Sequence, residues 1–281
     1  MKKSFVPLLL VVFLVGCSTK FSYFFLDWAI EWRVEEYVTF DKQQQKQFDV
    51  LLDKFLIWHQ KDELLRYSQQ LKTLSNAIET QTVTPELWQQ QVTDAKAHWF
   101  RIFDFVLPDL LPILASLSDE QVKEMIGQLT QDNKDLNKKY AGKTQLQLLE
   151  DSNEKVLDNI DDWLGSVSPE QETLVKKYNK QRIATLDMWL EYRLEWLRQF
   201  QQAIEMRSDT ELLEKRMRLL MTSPDELKSA IYQQHVDQNS RLFGQLVIDI
   251  NSSLSPKQRQ HFTNKMDELI TDLSDLSKEI K

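Results

Sequence analysis

The stretch Asp41-Lys42-Gln43-Gln44 decides how the chain folds, because it has the composition of a helix N-terminus. Aspartate is a preferred N-cap residue, and a glutamine three positions later can return a hydrogen bond to it in a capping box. From Phe48 to Ile78, apolar residues recur with the helical period. The pattern predicts one helix from Asp41 to about Glu79, which at 1.5 Å per residue is ~58 Å long.

The same start signal occurs three more times along the chain. Residues 118–121, 168–171 and 255–258 each begin with serine and carry glutamine three positions later. The first of these predicts a helix to about Lys139. The second predicts another long helix, to about Arg207.

Proline marks further helix boundaries. Thr84-Pro85 and Ser223-Pro224 place proline at the first helical position, where its missing N–H costs nothing. The second of these is expected to open a helix that reaches about Asn251. Pro108 and Pro112 fall inside the helix that starts at Pro85, and we expect them to kink or break it.

The whole composition supports an all-helical protein. Only five glycines and seven prolines occur in 281 residues, and no run of alternating apolar and polar residues is bounded by turn signals. The sequence therefore predicts an all-α fold, an elongated multi-helix bundle with two long helices. We expect residues 22–281 to form a single helical domain.

The N-terminus has the pattern of a targeting segment. Lys2 and Lys3 precede an apolar run from Phe5 to Val15, which is too short to span a membrane. The run ends in Leu14-Val15-Gly16-Cys17, which resembles the lipobox of bacterial lipoproteins. The resemblance implies a signal peptide over residues 1–16, a lipid on Cys17 and a lipidated linker over 17–21. An ordinary secretory signal with a chance cysteine is the alternative.

The resemblance also implies a location, because serine rather than aspartate follows Cys17 and this favours transfer to the outer membrane. Without residues 1–16, which hold two lysines and no acidic residue, the formal net charge changes from −8 to −10. An acidic protein repels nucleic acid, so no nucleic-acid partner is expected. Contact with the membrane then depends on the acyl chains. Cys17 is the only cysteine, so no internal disulfide can form.

No catalytic motif is present, and we expect neither an enzyme nor a cofactor beyond the lipid. His59 and Glu63 are spaced i, i+4, as are Asp94 and His98, and each pair could supply half of a metal site. A metal site needs three or four ligands, so we expect no metal. A glycan-cleaving enzyme is a weaker alternative, because it requires two carboxylates that face each other across a cleft.

Two aromatic stripes are open to two interpretations each. Trp189, Tyr192, Trp196 and Phe200 lie on one side of a predicted helix, where they either fill the core or form a concave apolar face for a partner chain or lipid. Phe24, Trp28 and Trp32 lie on a predicted helix from Ser22 to Val38, which either rests on lipid headgroups or packs in the core. We expect the core, because interfacial helices usually carry basic rather than acidic residues.

The chain also contains a candidate internal repeat. Leu26 to Glu35 matches Leu186 to Glu195 at five of ten positions, and weaker matches follow in the same order. These matches predict two duplicated helical halves over residues 26–140 and 186–281. The alternative is that amphipathic helices of similar composition align by chance.

Two helix starts resemble a chaperone motif. Leu117-Ser118-Asp119-Glu120-Gln121 and Leu254-Ser255-Pro256-Lys257-Gln258 are similar to the Leu-Thr-x-x-Gln motif of the Spy and CpxP periplasmic chaperones. That family is all-helical, and its cradle-shaped homodimers bind unfolded proteins. Here serine replaces threonine at Ser118 and Ser255, the chain is about twice as long, and it carries a lipobox. A capping box alone could produce the likeness, with Gln121 and Gln258 as the capping glutamines.

More of the chain, from the lipobox through Leu26-Asp27-Trp28 to Gln121, resembles a family of uncharacterised helical lipoproteins of Gram-negative bacteria. That likeness implies fold and location but no activity. We therefore expect an outer-membrane lipoprotein on the periplasmic face that acts as a non-catalytic binding or chaperone-like protein. Its partner would be an unfolded client or another protein. The alternative is a structural or assembly subunit of one dedicated envelope complex.

Overall fold

A computed structural model describes residues 19–279, and all regular secondary structure within them is helical. The predicted all-α helical bundle is therefore confirmed. The signal peptide predicted over residues 1–16, and Cys17 with it, lie outside the described residues. The α-helices are α1 (Thr19–Phe24), α2 (Leu26–Glu35), α3 (Lys42–Trp58), α4 (Leu64–Glu79), α5 (Pro85–Ala115), α6 (Asp119–Tyr140), α7 (Gln145–Leu164), α8 (Pro169–Gln181), α9 (Leu186–Glu205), α10 (Thr210–Thr222), α11 (Ala230–Ser252) and α12 (Pro256–Leu276).

The long helix predicted from Asp41 to Glu79 is present, with one departure in its middle. The Asp41 carboxylate accepts hydrogen bonds from the backbone N–H groups of Gln43 and Gln44, and the Gln44 side chain accepts from the Asp41 N–H. One π-helical turn, His59–Glu63, joins α3 to α4. Such turns insert one extra residue into a helix and often occur at functional sites.

We expected the prolines of α5 to kink or break the helix, and they do not break it. Pro108 and Pro112 both lie inside it, and α5 continues for 31 residues to Ala115. The two prolines are four positions apart. The carbonyl of Pro108 is therefore the one that the missing N–H of Pro112 would have used, so the two defects lie on one side of the helix.

The prediction of a second long helix from Ser168 to about Arg207 is wrong, because the helix is interrupted between Gln181 and Leu186. Asn239 of α11 stabilises the break. Its side chain accepts a hydrogen bond from the Ile183 N–H and donates one to the Ile183 carbonyl, both at 2.9 Å. A long-range side chain thus replaces the helical hydrogen bonds, and the local sequence carries no glycine or proline to announce it.

Helix α11 also begins later than Ser223-Pro224 predicted. Residues Pro224–Leu227 form a short 3₁₀ helix, and α11 starts at Ala230 with Ser229 as its N-cap. The Ser229 hydroxyl accepts a hydrogen bond from the Tyr232 N–H at 3.2 Å. The proline signal was correct for helical structure but not for the type of helix.

Two apolar clusters form most of the core. One joins α5, α6, α9 and α10 around Leu107, Met217 and Ile204, which are fully enclosed. The other joins α4, α7, α8, α11 and α12 around Val175 and Met266. The first half of the chain therefore contributes helices to both clusters, as does the second half.

Two pairs of glutamines connect the helix starts across the bundle. Gln121 Nε2 donates to Gln44 Oε1 at 2.7 Å, and Gln44 Nε2 donates back to Gln121 Oε1 at 3.1 Å. Gln258 Nε2 donates to Gln171 Oε1 at 2.8 Å, and Gln171 Nε2 donates back to Gln258 Oε1 at 3.3 Å. In each pair, both glutamines are the last residue of a capping box.

The surroundings of the two pairs also correspond. Gln44 Nε2 donates to the Ser116 hydroxyl and Gln171 Nε2 donates to the Ser253 hydroxyl, each serine lying five positions before the partner glutamine. The two junctions, α3 with α5–α6 and α8 with α11–α12, are therefore built alike.

Candidate functional site

A cleft of about 300 Å³ lies between α6 and α9, which belong to the two halves of the chain. Its size is at the lower end of the range for ligand pockets. Both helices present mixed apolar and polar side chains to it: Leu129 and Asn133 from α6, and Tyr192, Arg193, Trp196 and Leu197 from α9.

The aromatic stripe on α9 lies partly in the core and partly along the cleft. Phe200 is buried, and its ring stacks on Trp196 with centroids 5.2 Å apart. Trp196 Nε1 donates to the Leu220 carbonyl at 3.1 Å, which fixes the indole against α10. Phe200 and Trp196 thus belong to the core, while Trp196 and Tyr192 also line the cleft. Trp189 lies one turn before Tyr192, against the edge of Tyr140.

Basic groups lie beside these rings. Arg193 Nε donates to Asn133 Oδ1 at 3.0 Å, and its guanidinium carbon lies 5.4 Å from the Trp189 ring. Outside the cleft lining, Lys228 Nζ lies 5.6 Å from the rings of both Tyr192 and Tyr232 and forms an ion pair with Asp225 Oδ1 at 2.6 Å. Cation–π attraction holds such groups over aromatic faces. The cleft therefore combines aromatic surface with positive charge, in a protein whose net charge is negative.

Burial also affects the protonation of the cleft residues. It raises the pKa of Tyr192 to about 12, which keeps the phenol neutral. Burial lowers the pKa of Arg193 from its usual value, although Asp132 opposes the change. A guanidinium still keeps its proton at neutral pH. The cleft thus offers one cation, one phenol, one amide and apolar surface, a set suited to binding a chain with an apolar side chain and acceptor groups.

The serines and glutamines of the chaperone-like motif lie elsewhere. The hydroxyls of Ser118 and Ser255 accept the N–H groups of Gln121 and Gln258, each at 3.2 Å, as N-caps of α6 and α12. Gln121 and Gln258 are engaged in the two glutamine pairs. All four residues therefore act in helix capping and helix packing rather than in the cleft.

A second depression, of about 510 Å³, lies at the end of α7 against α12. Three of the residues that line it are carboxylates: Asp161, Asp162 and Glu268. Lys265 takes part in an ion pair with Asp162 at 3.0 Å. This ion pair occupies one carboxylate of the group.

A buried polar cluster surrounds the π-helical turn. Glu63 is completely buried, and its carboxylate accepts hydrogen bonds from Arg101 Nε at 2.6 Å and Nη2 at 3.2 Å. His98 Nδ1 lies 2.9 Å from Glu63 Oε2, and His98 Nε2 lies 2.7 Å from Gln70 Oε1. Glu63 and His98 come from the two separate i, i+4 pairs in the sequence, and the fold brings these two members together.

The other face of the turn holds His59. Its two ring nitrogens lie 3.1 Å from the Tyr23 hydroxyl and 3.3 Å from the Tyr67 hydroxyl. Burial lowers the pKa of His59 to about 4 and, by itself, raises that of Glu63. Hydrogen bonds from Arg101 and His98 outweigh burial at Glu63, so the pKa of that carboxyl is lowered. Across residues 19–279, no group of three or more His, Cys, Asp or Glu side chains is placed to hold a metal ion.

The fold and its clefts define an all-helical bundle protein with buried polar junctions. None of the helices within residues 19–279 is long and apolar enough to cross a membrane. The chain belongs to DUF6279, a family of unknown function, whose match covers residues 36–233. That range contains α3 to α10, and with them the cleft between α6 and α9 and the polar cluster. No curated protein and no solved structure matches the chain.

Proposed function

We propose that this protein is a lipoprotein anchored to the outer membrane on its periplasmic face, which binds a polypeptide segment without catalysis. The site would be the cleft between α6 and α9, and the occupant an unfolded or extended segment. The observation that carries the proposal is the aromatic and basic lining of this cleft, with Tyr192 and Arg193 on one wall and Asn133 on the other.

The lining supports a polypeptide as the occupant. A volume of about 300 Å³ accommodates one or two side chains rather than a large cofactor. Aromatic walls bury an apolar side chain, and the charge of Arg193 attracts carbonyl or carboxylate oxygens of the bound segment. A lining of this kind tolerates many sequences, because it fixes no single hydrogen-bond pattern.

The binding test uses the full chain and a permanently unfolded, reduced and alkylated polypeptide. We expect Leu129→Ala and Tyr192→Ala, one variant on each wall of the cleft, each to weaken binding by at least about tenfold, as truncation of hot-spot residues does. The matched control is Leu146→Ala, because Leu146 is 63% exposed on α7 and away from the cleft. Equal affinities for all four proteins would exclude the cleft as the binding site.

Cross-linking in cells separates the client-binding proposal from the alternative of a fixed subunit. A photo-reactive amino acid at position 192 should capture a heterogeneous set of transiting proteins. Capture of one protein at a near-fixed ratio would instead make this chain a structural or assembly subunit of a dedicated envelope complex.

Anchoring is tested independently of binding. Cys17→Ser should abolish incorporation of labelled fatty acid and leave uncleaved precursor in the cell. Continued cleavage before position 17 in this variant would show that an ordinary signal peptidase acts there, and the proposed lipid anchor would be wrong.

A further inference from the structure

The first two helices expose an aromatic surface, which we call the aromatic face: Phe21, Phe24, Phe25, Trp28 and Trp32. Trp28 is 61% exposed, and Phe25 and Trp32 are each 50% exposed. The two indoles stack on each other, with ring centroids 6.3 Å apart and an angle of 14° between their planes. Our expectation that these tryptophans pack in the core is therefore wrong.

The opposite side of α2 explains why the rings are exposed. Leu26 is buried, and Ile30 and Val34 pack against the core cluster of α3 and α5. Residues four positions apart share one side of a helix, whereas Trp28 lies about 200° around the axis from Leu26. One apolar stripe of helix α2 therefore packs in the core, and a second apolar stripe faces outward.

The position of the aromatic face relative to Cys17 is constrained. Phe21 lies four positions after Cys17, a span of at most ~14 Å when fully extended. Helix α1 is attached to the body of the protein by Lys20, whose Nζ lies 2.7 Å from Asp275 Oδ2. Tyr23 of the same helix contacts His59. A lipid on Cys17 would hold the aromatic face close to the membrane surface.

The negative charge next to the aromatic face determines which lipid headgroups the face can contact. Asp27, Glu31 and Glu35 lie on α2 beside the tryptophans, and Asp49 and Asp53 of α3 lie near Glu31. Burial raises the pKa of Glu31, and these four neighbouring carboxylates raise it further. Such a concentration of negative charge disfavours anionic lipid headgroups. Zwitterionic headgroups carry no net charge and lack this penalty.

We propose that the aromatic face is a membrane-contact site, with Trp28 and Trp32 in the headgroup region of a zwitterionic phospholipid monolayer. Indole rings favour this region, because they bury apolar surface and keep their N–H hydrated. The identity of the membrane that is contacted rests on the proposed lipid anchor. The lipid holds the chain at the surface, and the aromatic face fixes which side of the bundle is turned towards it.

The test measures how deeply the tryptophan side chains enter the lipid layer. The full chain, purified from membranes, is reconstituted into phosphatidylcholine vesicles whose acyl chains carry bromine near the headgroup, and tryptophan emission is recorded. We expect bromine to quench part of the emission of the unaltered protein, and this quenching to be lost in the double variant Trp28→Ser/Trp32→Ser. The matched control, Leu146→Ser/Ile231→Ser, removes two side chains that are 63% and 58% exposed on α7 and α11 and should keep the quenching.

Three results would overturn the inference. The first is the absence of quenching in an unaltered protein whose mass shows the acyl chains. The second is equal quenching in the Trp28/Trp32 variant and the control. The third is efficient cross-linking between two copies through a photo-reactive residue at position 32, which would assign the aromatic face to a second copy of the chain.

The test also separates this inference from the proposed anchor. A protein whose mass lacks the acyl chains, but whose tryptophans are still quenched, would disprove the anchor and support the membrane-contact site. Replacement of phosphatidylcholine by phosphatidylglycerol should weaken the quenching at low salt. Stronger quenching with the anionic lipid would contradict the charge argument and with it the proposed zwitterionic partner.

Discussion

The indole of Trp88 on α5 lies directly against the backbone of Gly244 on α11. A Cβ atom added to Gly244 would be 2.4 Å from Trp88 Cδ1 and 2.7 Å from Cγ, distances that atoms in contact do not adopt. Trp88 is held there because its Nε1 donates to the Ser240 carbonyl at 3.0 Å. Its ring also contacts Phe243, with centroids 5.5 Å apart. The missing side chain at position 244 is thus what lets α5 and α11 approach.

Gly244→Ala should therefore destabilise the protein, although alanine is the better helix former. Overpacking costs about 1–3 kcal/mol, which exceeds the roughly 1 kcal/mol gained from helix propensity. Gly127→Ala on α6 is the control, because no atom lies within 4 Å of an added Cβ there, and it should stabilise by about 0.5–1 kcal/mol. Urea unfolding measures the free energy of unfolding of both variants. Adding Trp88→Leu to Gly244→Ala should remove the destabilisation that the added methyl group causes. A Gly244→Ala protein at least as stable as the unaltered one would contradict the close contact.

The paired glutamines give a second prediction. Gln171 is fully buried and supports both the start of α8 and the side chain of Gln258, so Gln171→Ala should cost about 1–3 kcal/mol. Gln147 is the matched control, because it closes a capping box on α7 in an exposed position without a glutamine partner. Gln147→Ala should cost no more than about 1 kcal/mol. Equal losses in urea unfolding would mean that the pairing adds nothing to capping.

Coupling within the pair can be measured separately. A double-mutant cycle of Gln171→Ala and Gln258→Ala should show an interaction free energy of at least about 0.5 kcal/mol, because the two side chains share hydrogen bonds. The cycle of Gln44→Ala and Gln171→Ala is the control, since these residues belong to different pairs. The losses of unfolding free energy in these two single variants should sum to the loss in the double variant.

Local sequence was sufficient to place most helix boundaries, and the reason is chemical. A capping box satisfies orphan N–H groups with residues only three positions apart, so Ser118–Gln121 and Ser255–Gln258 identify the starts of α6 and α12 directly. The exposure of Trp28 and Trp32 was not predicted. Their spacing shows that they share a side of α2, but not that Leu26, Ile30 and Val34 occupy the side facing the core.

Features that depend on distant residues could not be predicted from the local sequence. The break between α8 and α9 depends on Asn239, more than fifty residues later. The cleft needs Asn133 of α6 to meet Arg193 of α9, and the contact of Glu63 with His98 needs α5 to cross the π-helical turn. No local pattern carries this information.

The predicted duplication remains a prediction, but the glutamine pairs suggest a different register for it. Gln171 follows Gln44 by 127 positions and Gln258 follows Gln121 by 137, whereas the match of Leu26 to Leu186 has an offset of 160. The first register makes α3 equivalent to α8, and the second makes α2 equivalent to α9. Superposition of residues 41–140 on 168–279 tests the first register, and superposition of residues 26–140 on 186–279 tests the second.

The buried carboxylate of Glu63 gives a third prediction. Glu63→Gln removes the charge that compensates Arg101, whose side chain is 35% exposed, and weakening the charged hydrogen bonds of the fully buried Glu63 typically costs about 1–3 kcal/mol. Glu195→Gln is the matched control, because Glu195 and Arg198 form a similar two-point ion pair at 2.6 and 2.8 Å on the exposed surface of α9. That change should cost less than about 1 kcal/mol. Similar costs for the two variants in urea unfolding would show that Glu63 is not the buried partner of Arg101.

The last prediction concerns acid sensitivity, which we assign mainly to His59. Burial lowers the pKa of this residue to about 4, while an unfolded histidine titrates near 6.5, so between these values the unfolded chain binds more protons and the free energy of unfolding falls as the pH falls. The loss that His59 contributes amounts to about 3 kcal/mol from pH 7.5 to 4. Burial also lowers the pKa of His98, which adds to the loss, and the lowered pKa of Glu63 adds to it below about pH 4.5. Urea unfolding across this range should show a smaller loss for His59→Gln, whose side chain still hydrogen-bonds Tyr23 or Tyr67 but does not titrate. His261→Gln, at an exposed position on α12, should behave as the unaltered protein does. If His59→Gln shows the same pH dependence as both of them, the acid sensitivity originates elsewhere.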